Sequence, residues 1–291
     1  MNGPALTLPD VTFVRQLVLK HSGISLDETK GYLIESRLLE IARRHRLSDP
    51  AQVVHRVRAG DESLRREVVD SLTINETSFF RDGAPFEALR LRVLPELIRR
   101  RADERSLVIW SAACSSGQEP YSIAMLIREH FPQLLAWRLR ILATDLSRLV
   151  LHKARSGLYS AFEVGRGLPP LYLSKYFQRV GLDWQIRDDI RNMVEFAELN
   201  LIEPWPLLPA SDVVFLRNVI IYFQDLLRGQ VLGRVWQVLK PDGYLFLGSS
   251  ESPVGLSEQF VAEEVGNTCV YRPRKPVGLQ STSAQKCVRA V

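Results

Sequence analysis

Leu107-Val108-Ile109-Trp110, followed by Ser111-Ala112-Ala113-Cys114-Ser115-Ser116-Gly117, is the passage on which the fold turns. A short, uninterrupted apolar run predicts a strand buried on both faces, as in a parallel sheet. The small residues after it let the backbone approach a ligand closely, and Gln118 to His130 reads as a helix whose N-terminus points back at the turn. A second strand, Leu139 to Thr144, ends on Asp145, the position where nucleoside-binding sheets place their acceptor for ribose hydroxyls. A plainer reading stays open. The turn has one glycine where a dinucleotide fold uses three, and an acid after a strand also caps the helix that follows.

Further toward the C-terminus the alternation of strand and helix continues. The helix after Asp145 runs through Ala154 and stops at Ser156-Gly157. Tyr159 to Gln185 is irregular and rich in Gly and Pro, which predicts an inserted lobe. Met193 to Leu199 and Asp212 to Leu216 are strand candidates that deliver Asn200-Leu201 and Arg217-Asn218 at their C-terminal ends, the edge where open α/β sheets bind ligands. Asp225 is positioned to cap a helix running to Leu239, Pro241-Asp242-Gly243 turns into a strand at Tyr244 to Gly248, and Phe260 to Glu264 pairs with Thr268 to Tyr271 as a hairpin. Gly278 to Val291 carries no pattern.

Upstream, Val11 to Arg46 is helical with a break at Gly23 and Asp27, and Leu64, Val68 and Leu72 form a stripe at helical spacing. Phe86, Leu89, Val93 and Leu97 form another, with Pro95 as a kink or fresh start. Between the two stripes lies Asn75-Glu76-Thr77-Ser78-Phe79-Phe80-Arg81. Polar residues at that density beside paired phenylalanines suit a polar cleft anchored in the core, or else a turn in which Asn75 and Thr77 cap the next helix. Arg37, Arg43, Arg44, Arg46, Arg56, Arg58, Arg65 and Arg66 make the N-terminal helices basic. They form either a solvated face or a surface for an acidic partner.

With 291 residues, 46% hydrophobic and 24% charged, the composition is that of a globular protein with room for two domains. No apolar run approaches the roughly 20 residues that span a bilayer, and the N-terminus carries no secretory pattern, so a cytoplasmic protein without membrane insertion is expected. Cys114, Cys269 and Cys287 lack metal-ligand or disulfide-framework spacing, so no metal is expected and Cys114 reads as a small buried residue. The net charge of +5 is too modest to argue for nucleic acid.

Four segments resemble the chemotaxis receptor glutamate methyltransferases of CheR type, in that family's order: Thr73 to Arg81, Glu119-Pro120-Tyr121-Ser122-Ile123-Ala124, Ala143-Thr144-Asp145, and Arg217 to Phe223. The resemblance runs from about Ser71 to Tyr271. It implies an α/β protein: a class I methyltransferase (Rossmann-like) sheet domain with a small β-subdomain insertion, preceded by a small all-α domain. The expected divisions are a helical domain over residues 1–82, a linking helix over 83–104, and an S-adenosylmethionine-binding domain over 105–273. The insertion falls near 159–192 and a disordered tail over 274–291.

The resemblance also implies S-adenosylmethionine as methyl donor, with S-adenosylhomocysteine as product, and methyl ester formation on glutamates of chemotaxis receptor helices by a monomeric enzyme. Its cofactor contacts carry over to Asn75, Thr77, Arg81, Glu119, Asp145, Asn200, Leu201, Arg217 and Asn218. Asp145 would take the ribose hydroxyls, Glu119 the donor's ammonium, and Asn200 and Leu201 the adenine. Arg81 and Tyr222 would lie nearest the transferred methyl, with Phe79 and Phe80 drying the cleft. One departure stands out. Gly181-Leu182-Asp183-Trp184 replaces the longer glycine-containing loop of members that dock on a receptor pentapeptide, which predicts a pentapeptide-independent enzyme. Methylation of RNA or another protein, and cofactor binding without turnover, are the competing functions.

Overall fold

The computed structural model describes residues 6–274; the expected tail lies, apart from Arg274, outside them. Four helices come first: α1 (Leu8–Ser22), α2 (Gly31–Arg44), α3 (Pro50–Arg58) and α4 (Glu62–Ser71). Each boundary has a local cause. Thr7 closes a capping box with Asp10, Gly23 ends α1 at φ 74°, and Asp49 and Asp61 accept the first-turn amides of α3 and α4. The linking segment is α5 (Ala84–Ala88), a π turn (Leu89–Val93) and α6 (Leu94–Arg100). Pro95 has no amide to donate at a helix interior, and the preceding turn widens so that the Leu94 amide reaches the Leu89 carbonyl.

The sheet domain then alternates. β1 (Ser106–Ala112), α7 (Gln118–His130), β2 (Arg138–Asp145) and α8 (Arg148–Ser156) come first. The inserted lobe holds β3 (Leu158–Tyr159), α9 (Ala161–Val164), α10 (Pro170–Tyr176), β4 (Phe177–Val180), β5 (Asp183–Ile186) and α11 (Asp188–Arg191). β6 (Val194–Glu198), β7 (Ser211–Leu216), α12 (Asp225–Val238), β8 (Leu239–Leu247), β9 (Phe260–Val265) and β10 (Thr268–Pro273) complete it. The main sheet runs β6-β2-β1-β7-β8-β10-β9, parallel from β6 through β8 and antiparallel at β10 and β9. The lobe is a separate antiparallel sheet, β3-β5-β4. Chain order reverses on either side of β1, so the C-terminal ends of β1, β2 and β7 diverge around one crevice.

Strand alternation divides the interior into two cores. Ile109, Ile141, Val213, Phe215 and Phe246 face α5 to α7 and the lobe, whereas Trp110, Leu142, Val214, Leu245 and Leu247 face the opposite way. The second face is covered by α12 and by the N-terminal helices, because Val14, Val18, Leu38, Val53 and Val68 belong to the same contiguous cluster. The helical unit therefore completes the core of the sheet. At Gly23 a Cβ would stand 2.7 Å from Leu227 and 2.8 Å from Ile202, so this helix end abuts the sheet domain with no spare room.

At the opposite edge from the crevice, fully buried Asp212 accepts from Arg101 Nε (2.8 Å), Lys240 Nζ (2.9 Å) and the Val108 amide (2.9 Å). A buried carboxylate needs such partners, and these fasten the linking segment to β1, β7 and β8. Two local expectations fail. Gln224, without a side-chain cap, precedes α12, and Asp225 pairs with Arg228 at 3.2 Å. Neither Asn75 nor Thr77 caps a helix: α5 starts from Gly83. Most of the basic N-terminal side chains are also paired, Arg44 with Glu67, Arg56 with Asp61, Arg58 with Asp10 and Arg65 with Glu62, while Arg43 and Arg46 stand exposed.

Candidate active site

The crevice at the C-terminal ends of β1, β2 and β7 opens into a cavity of about 840 Å³, counting the free space at its mouth. Asn75, Thr77, Arg81, Glu119, Asp145, Asn200, Leu201, Arg217, Asn218 and Tyr222 all line it. These residues come from five separated stretches of sequence, the four resembling segments and Asn200-Leu201. The parallel pairing that places the ends of β1, β2 and β7 side by side brings them together.

Two phenylalanines anchor the Asn75–Arg81 stretch. Phe79, fully buried, meets Tyr159 and Phe177 of the lobe edge-on at 5.1 and 5.6 Å, and Phe80 meets Phe86 and Tyr172 at 5.2 and 5.5 Å. Neither lines the cavity, so they fix the loop's course and do not dry the cleft. Ser122 Oγ accepts the Phe80 amide (2.9 Å), and Ser115 Oγ donates to the Asn75 carbonyl (2.8 Å), joining this loop to the β1–α7 turn.

Backbone strain is concentrated here. Ala113, Ser115 and Asn218, all on the cavity wall, have φ of 56°, 50° and 57°, and Phe80 and Asp82, on either side of Arg81, have 48° and 67°. Such conformations cost about 1 kcal/mol or more each for residues with a Cβ, and they persist where surrounding structure over-determines them.

Asp145 is buried at the end of β2 and accepts the amides of Ser115 (2.8 Å) and Ser147 (2.9 Å). Desolvation pushes its pKa up, and the backbone donors pull the other way. The helix that follows is capped not by Asp145 but by Ser147, whose side chain faces the Val150 amide, so the Asp145 carboxylate instead ties the β1–α7 turn to the end of β2. Cys114 beside it is buried and its thiol is pushed well above the ordinary range, chiefly by desolvation, which disfavours the thiolate and fits a small packing residue.

Arg217 organises the opposite wall. Its guanidinium donates to Glu119 Oε2 (2.9 Å), Asp82 Oδ2 (2.7 Å) and the Arg81 carbonyl (3.0 Å), while Glu119 Oε1 accepts from Ser111 (2.8 Å). Three of the four sequence segments thus meet at one buried side chain, whose Nε is left without a partner. Arg81, in contrast, commits Nη1 to the Glu76 carbonyl (2.9 Å) and stands partly exposed. Asn200 uses its amide on the His21 carbonyl (2.9 Å) and the Ile202 amide (3.2 Å). It therefore pins α1 to the cavity wall beside Leu201.

Two residues that the sequence did not single out shape the Arg217–Phe223 loop. Buried Glu251 accepts the amides of Gly248 (2.7 Å), Asn218 (2.7 Å), Val219 (2.8 Å) and Ile221 (3.2 Å). Arg228 donates to the carbonyls of Ile220 (2.8 Å), Phe223 (2.7 Å) and Ile221 (3.1 Å). The only local sign of Glu251 was a charge directly after the Gly248-Ser249-Ser250 strand exit.

The residues present suit S-adenosylmethionine. Carboxylates at Asp145 and Glu119 complement hydroxyl donors and a cation, the backbone turn at Ala113 to Gly117 admits close approach, and Leu199 and Leu201 supply apolar wall. Among the described residues no group of three His, Cys, Asp or Glu side chains is placed to hold a metal, and no helix is long and apolar enough to cross a membrane.

The strand order, the switch point at β1 and the acid at the end of β2 together define a class I, S-adenosylmethionine-binding methyltransferase. The chain belongs to the CheR methyltransferase family: residues 75–268 match its SAM binding domain and residues 9–73 its all-alpha domain. It is 42% identical over 270 residues to chemotaxis protein methyltransferase 1 of Pseudomonas aeruginosa, covering 91% of this chain and 98% of that protein. Chemotaxis protein methyltransferase Cher2 of Pseudomonas putida is 40% identical over 89% of this chain and 96% of its own length. A chemotaxis protein methyltransferase of Vibrio parahaemolyticus is 37% identical over 92% and 98%.

Proposed function

We propose that the protein transfers the methyl group of S-adenosylmethionine to glutamate side chains on the cytoplasmic helices of chemotaxis receptors, as a monomer in the cytoplasm and without pentapeptide tethering. The observation that carries this reading is the convergence of all ten expected side chains around one cavity, with Arg81 partly exposed among them. The names of the relatives support the receptor as acceptor.

The chemistry asks little of the protein. A glutamate carboxylate, with an ordinary pKa near 4.3, is ionised at neutral pH and attacks without a general base. When bound, the cofactor supplies an electrophilic methyl on a sulfonium. The protein must align the carboxylate, and orientation of this kind contributes about 7 to 11 kcal/mol. Arg81 has a planar fork with donors beyond the one given to Glu76, which suits it to hold the acceptor carboxylate. Tyr222 borders the same space and either donates its hydroxyl or packs beside the methyl. Asp145 takes the ribose hydroxyls, Leu201 borders the adenine with Asn200 fixing its loop, and Glu119, steadied by Arg217, faces the ammonium. Asn75, Thr77 and Asn218 complete the wall. Opposite charges disappear as the methyl moves, so a partly desolvated cleft favours the transition state over the ion-paired ground state.

The lobe supports pentapeptide independence. β4 and β5 are joined by the two-residue turn Gly181-Leu182, with Gly181 at φ 62°, leaving no longer loop to close over a peptide. The exposed Arg43 and Arg46 belong to the face offered to the receptor's acidic helices. Incubation with methyl-labelled cofactor and receptor membranes should give alkali-labile esters on receptor bands. Label in RNA would favour the competing enzyme, and cofactor binding without transfer a regulatory protein. Micromolar binding of the receptor pentapeptide by calorimetry would remove the tethering claim alone.

A further inference from the structure

A second guanidinium reaches a residue of the cavity lining from the inserted lobe. Arg166, in the loop after α9, donates from Nη2 to Glu76 Oε1 at 2.9 Å, across ninety positions of sequence. Glu76 lines the cavity and, through its main-chain carbonyl, also accepts from Arg81. One residue therefore carries both arginines.

The root of Arg166 is fixed by packing. At the next residue, Gly167, φ is 80° and an added Cβ would stand 2.1 Å from the Phe79 carbonyl oxygen, so the loop backbone lies directly on the anchored stretch. On its other side α9 opens with a capping box between Ser160 and Glu163, and Lys153 pairs with Glu163. The side chain itself is accessible: Arg166 is 43% exposed and Glu76 63%. A pair this open is favoured by no more than about fivefold, so exchanging its carboxylate for another is easy. Arg217 cannot take part, because its guanidinium is buried and committed to Glu119 and Asp82. Phe162, 72% exposed, lies against Arg166 with its ring centroid 5.7 Å from the guanidinium carbon, an apolar floor for the methylenes of a side chain reaching in.

We infer that Arg166 is a second acceptor-binding residue, held by Glu76 until the substrate glutamate takes Glu76's place on it. This rests on the reading that the acceptor is a carboxylate. Glu76 is chemically the same group as that acceptor, so the Arg166–Glu76 pair displays the contact that the substrate would make. Without the exchange, a carboxylate moving toward Arg81 would meet the Glu76 carboxylate at close range. With it, Arg81 and Arg166 hold the acceptor from two sides, and the lobe contributes to substrate selection.

The test measures the KM for a receptor cytoplasmic fragment, and separately the affinity for S-adenosylhomocysteine by calorimetry, in Arg166→Ala, Arg166→Lys and Glu76→Gln. Arg166→Ala should raise the fragment KM about tenfold, equivalent to about 1.4 kcal/mol, with the S-adenosylhomocysteine Kd within about twofold of wild type. Arg166→Lys should recover part of the loss. Glu76→Gln frees Arg166 and should lower the KM, by up to about fivefold. If Arg166 only braces the Glu76 loop, Glu76→Gln and Arg166→Ala will both raise the KM, and the inference is overturned; an unchanged KM in Arg166→Ala overturns it equally. Should Arg166→Ala not fold, the direction of the Glu76→Gln change decides by itself. Absence of ester formation by the wild type would remove the proposed function and this inference together, whereas an active wild type with insensitive variants removes the inference alone.

Discussion

Replacing Glu251 with alanine takes one carboxylate away from four backbone amides. Three of those hydrogen bonds, from Gly248, Asn218 and Val219, are 2.7 to 2.8 Å long, and the fourth, from Ile221, is 3.2 Å. Bonds to a charged acceptor contribute about 1.5 to 3 kcal/mol each, so the three short ones would sum to about 5 to 9 kcal/mol if nothing adjusted. Water entering the vacated space recovers part of this, and relief from burying a carboxylate recovers more, which leaves a net loss of about 3 kcal/mol. With a urea slope of about 3 kcal/mol per molar, the unfolding midpoint should fall by about 1 M. The same amides set the course of the loop that carries Asn218 and Tyr222, with Arg217 at its root. The S-adenosylhomocysteine Kd measured by calorimetry should therefore rise about tenfold or more. Glu251→Gln keeps the volume but turns an NH2 toward amide donors, and should lose about 2 kcal/mol with a smaller change in affinity. A midpoint within 0.2 M of wild type (roughly the error of such a fit) together with an unchanged Kd would show that the loop holds its shape without this carboxylate.

Other perturbations probe separate parts of the molecule. Arg81→Ala should lower kcat/KM for the receptor fragment by about 100-fold or more, and Tyr222→Phe by about tenfold or less; normal ester formation by Arg81→Ala would end the role assigned to it. Gly167→Ala places a methyl against the Phe79 carbonyl oxygen at a left-handed φ, so thermal stability should drop by several degrees, and an unchanged melting curve would mean that the lobe slides freely over the Phe79 loop. Asp70, at the contact between α4 and the Asp145–Ser147 turn, is raised to about 6, first by desolvation and then by neighbouring Asp145 and Glu198. A raised carboxyl binds its proton more tightly in the folded state, so its contribution is present below about pH 4 and is lost as pH rises through about 6. Because the group is partly open to solvent, the loss is on the order of 1 kcal/mol. Asp70→Asn should accordingly exceed wild type in urea midpoint at pH 7 and match it at pH 4, and parallel curves at both pH values would contradict the assignment.

What the sequence made legible was local in character. The uninterrupted apolar run at Leu107 marked a strand buried on both faces, the apolar run after Asp212 marked another strand, and small residues at Ser111 to Gly117 marked a turn that could approach a ligand. Sequence spacing alone did not reveal how the segments depend on one another. Asn200, Arg217 and Glu251 find their partners 179, 98 and about 30 positions away, and those distances close only when parallel strands align their ends. The attachment of the helical unit was hidden for a related reason. Val14 and Val18 show the same stripe whether they face one another's helices or a sheet, since periodicity records that a face is buried and not what buries it.

The Asn75–Arg81 stretch shows how the local and distant terms combine. Its polar residues suggested either a cap or a cleft, and the choice between them was made elsewhere: Phe79 is seated by the lobe, Phe80 by α5 and α10, and the Arg81 carbonyl by Arg217. With both ends fixed, the backbone is driven to positive φ at Phe80 and Asp82, and the Arg81 side chain is left between them on the cavity wall. A loop held this way has little freedom to adapt to a ligand. On the proposed function, discrimination between acceptors would fall to side chains that can move, and Arg81 and Arg166, both tied to Glu76 and both at least partly exposed, are the ones the geometry offers.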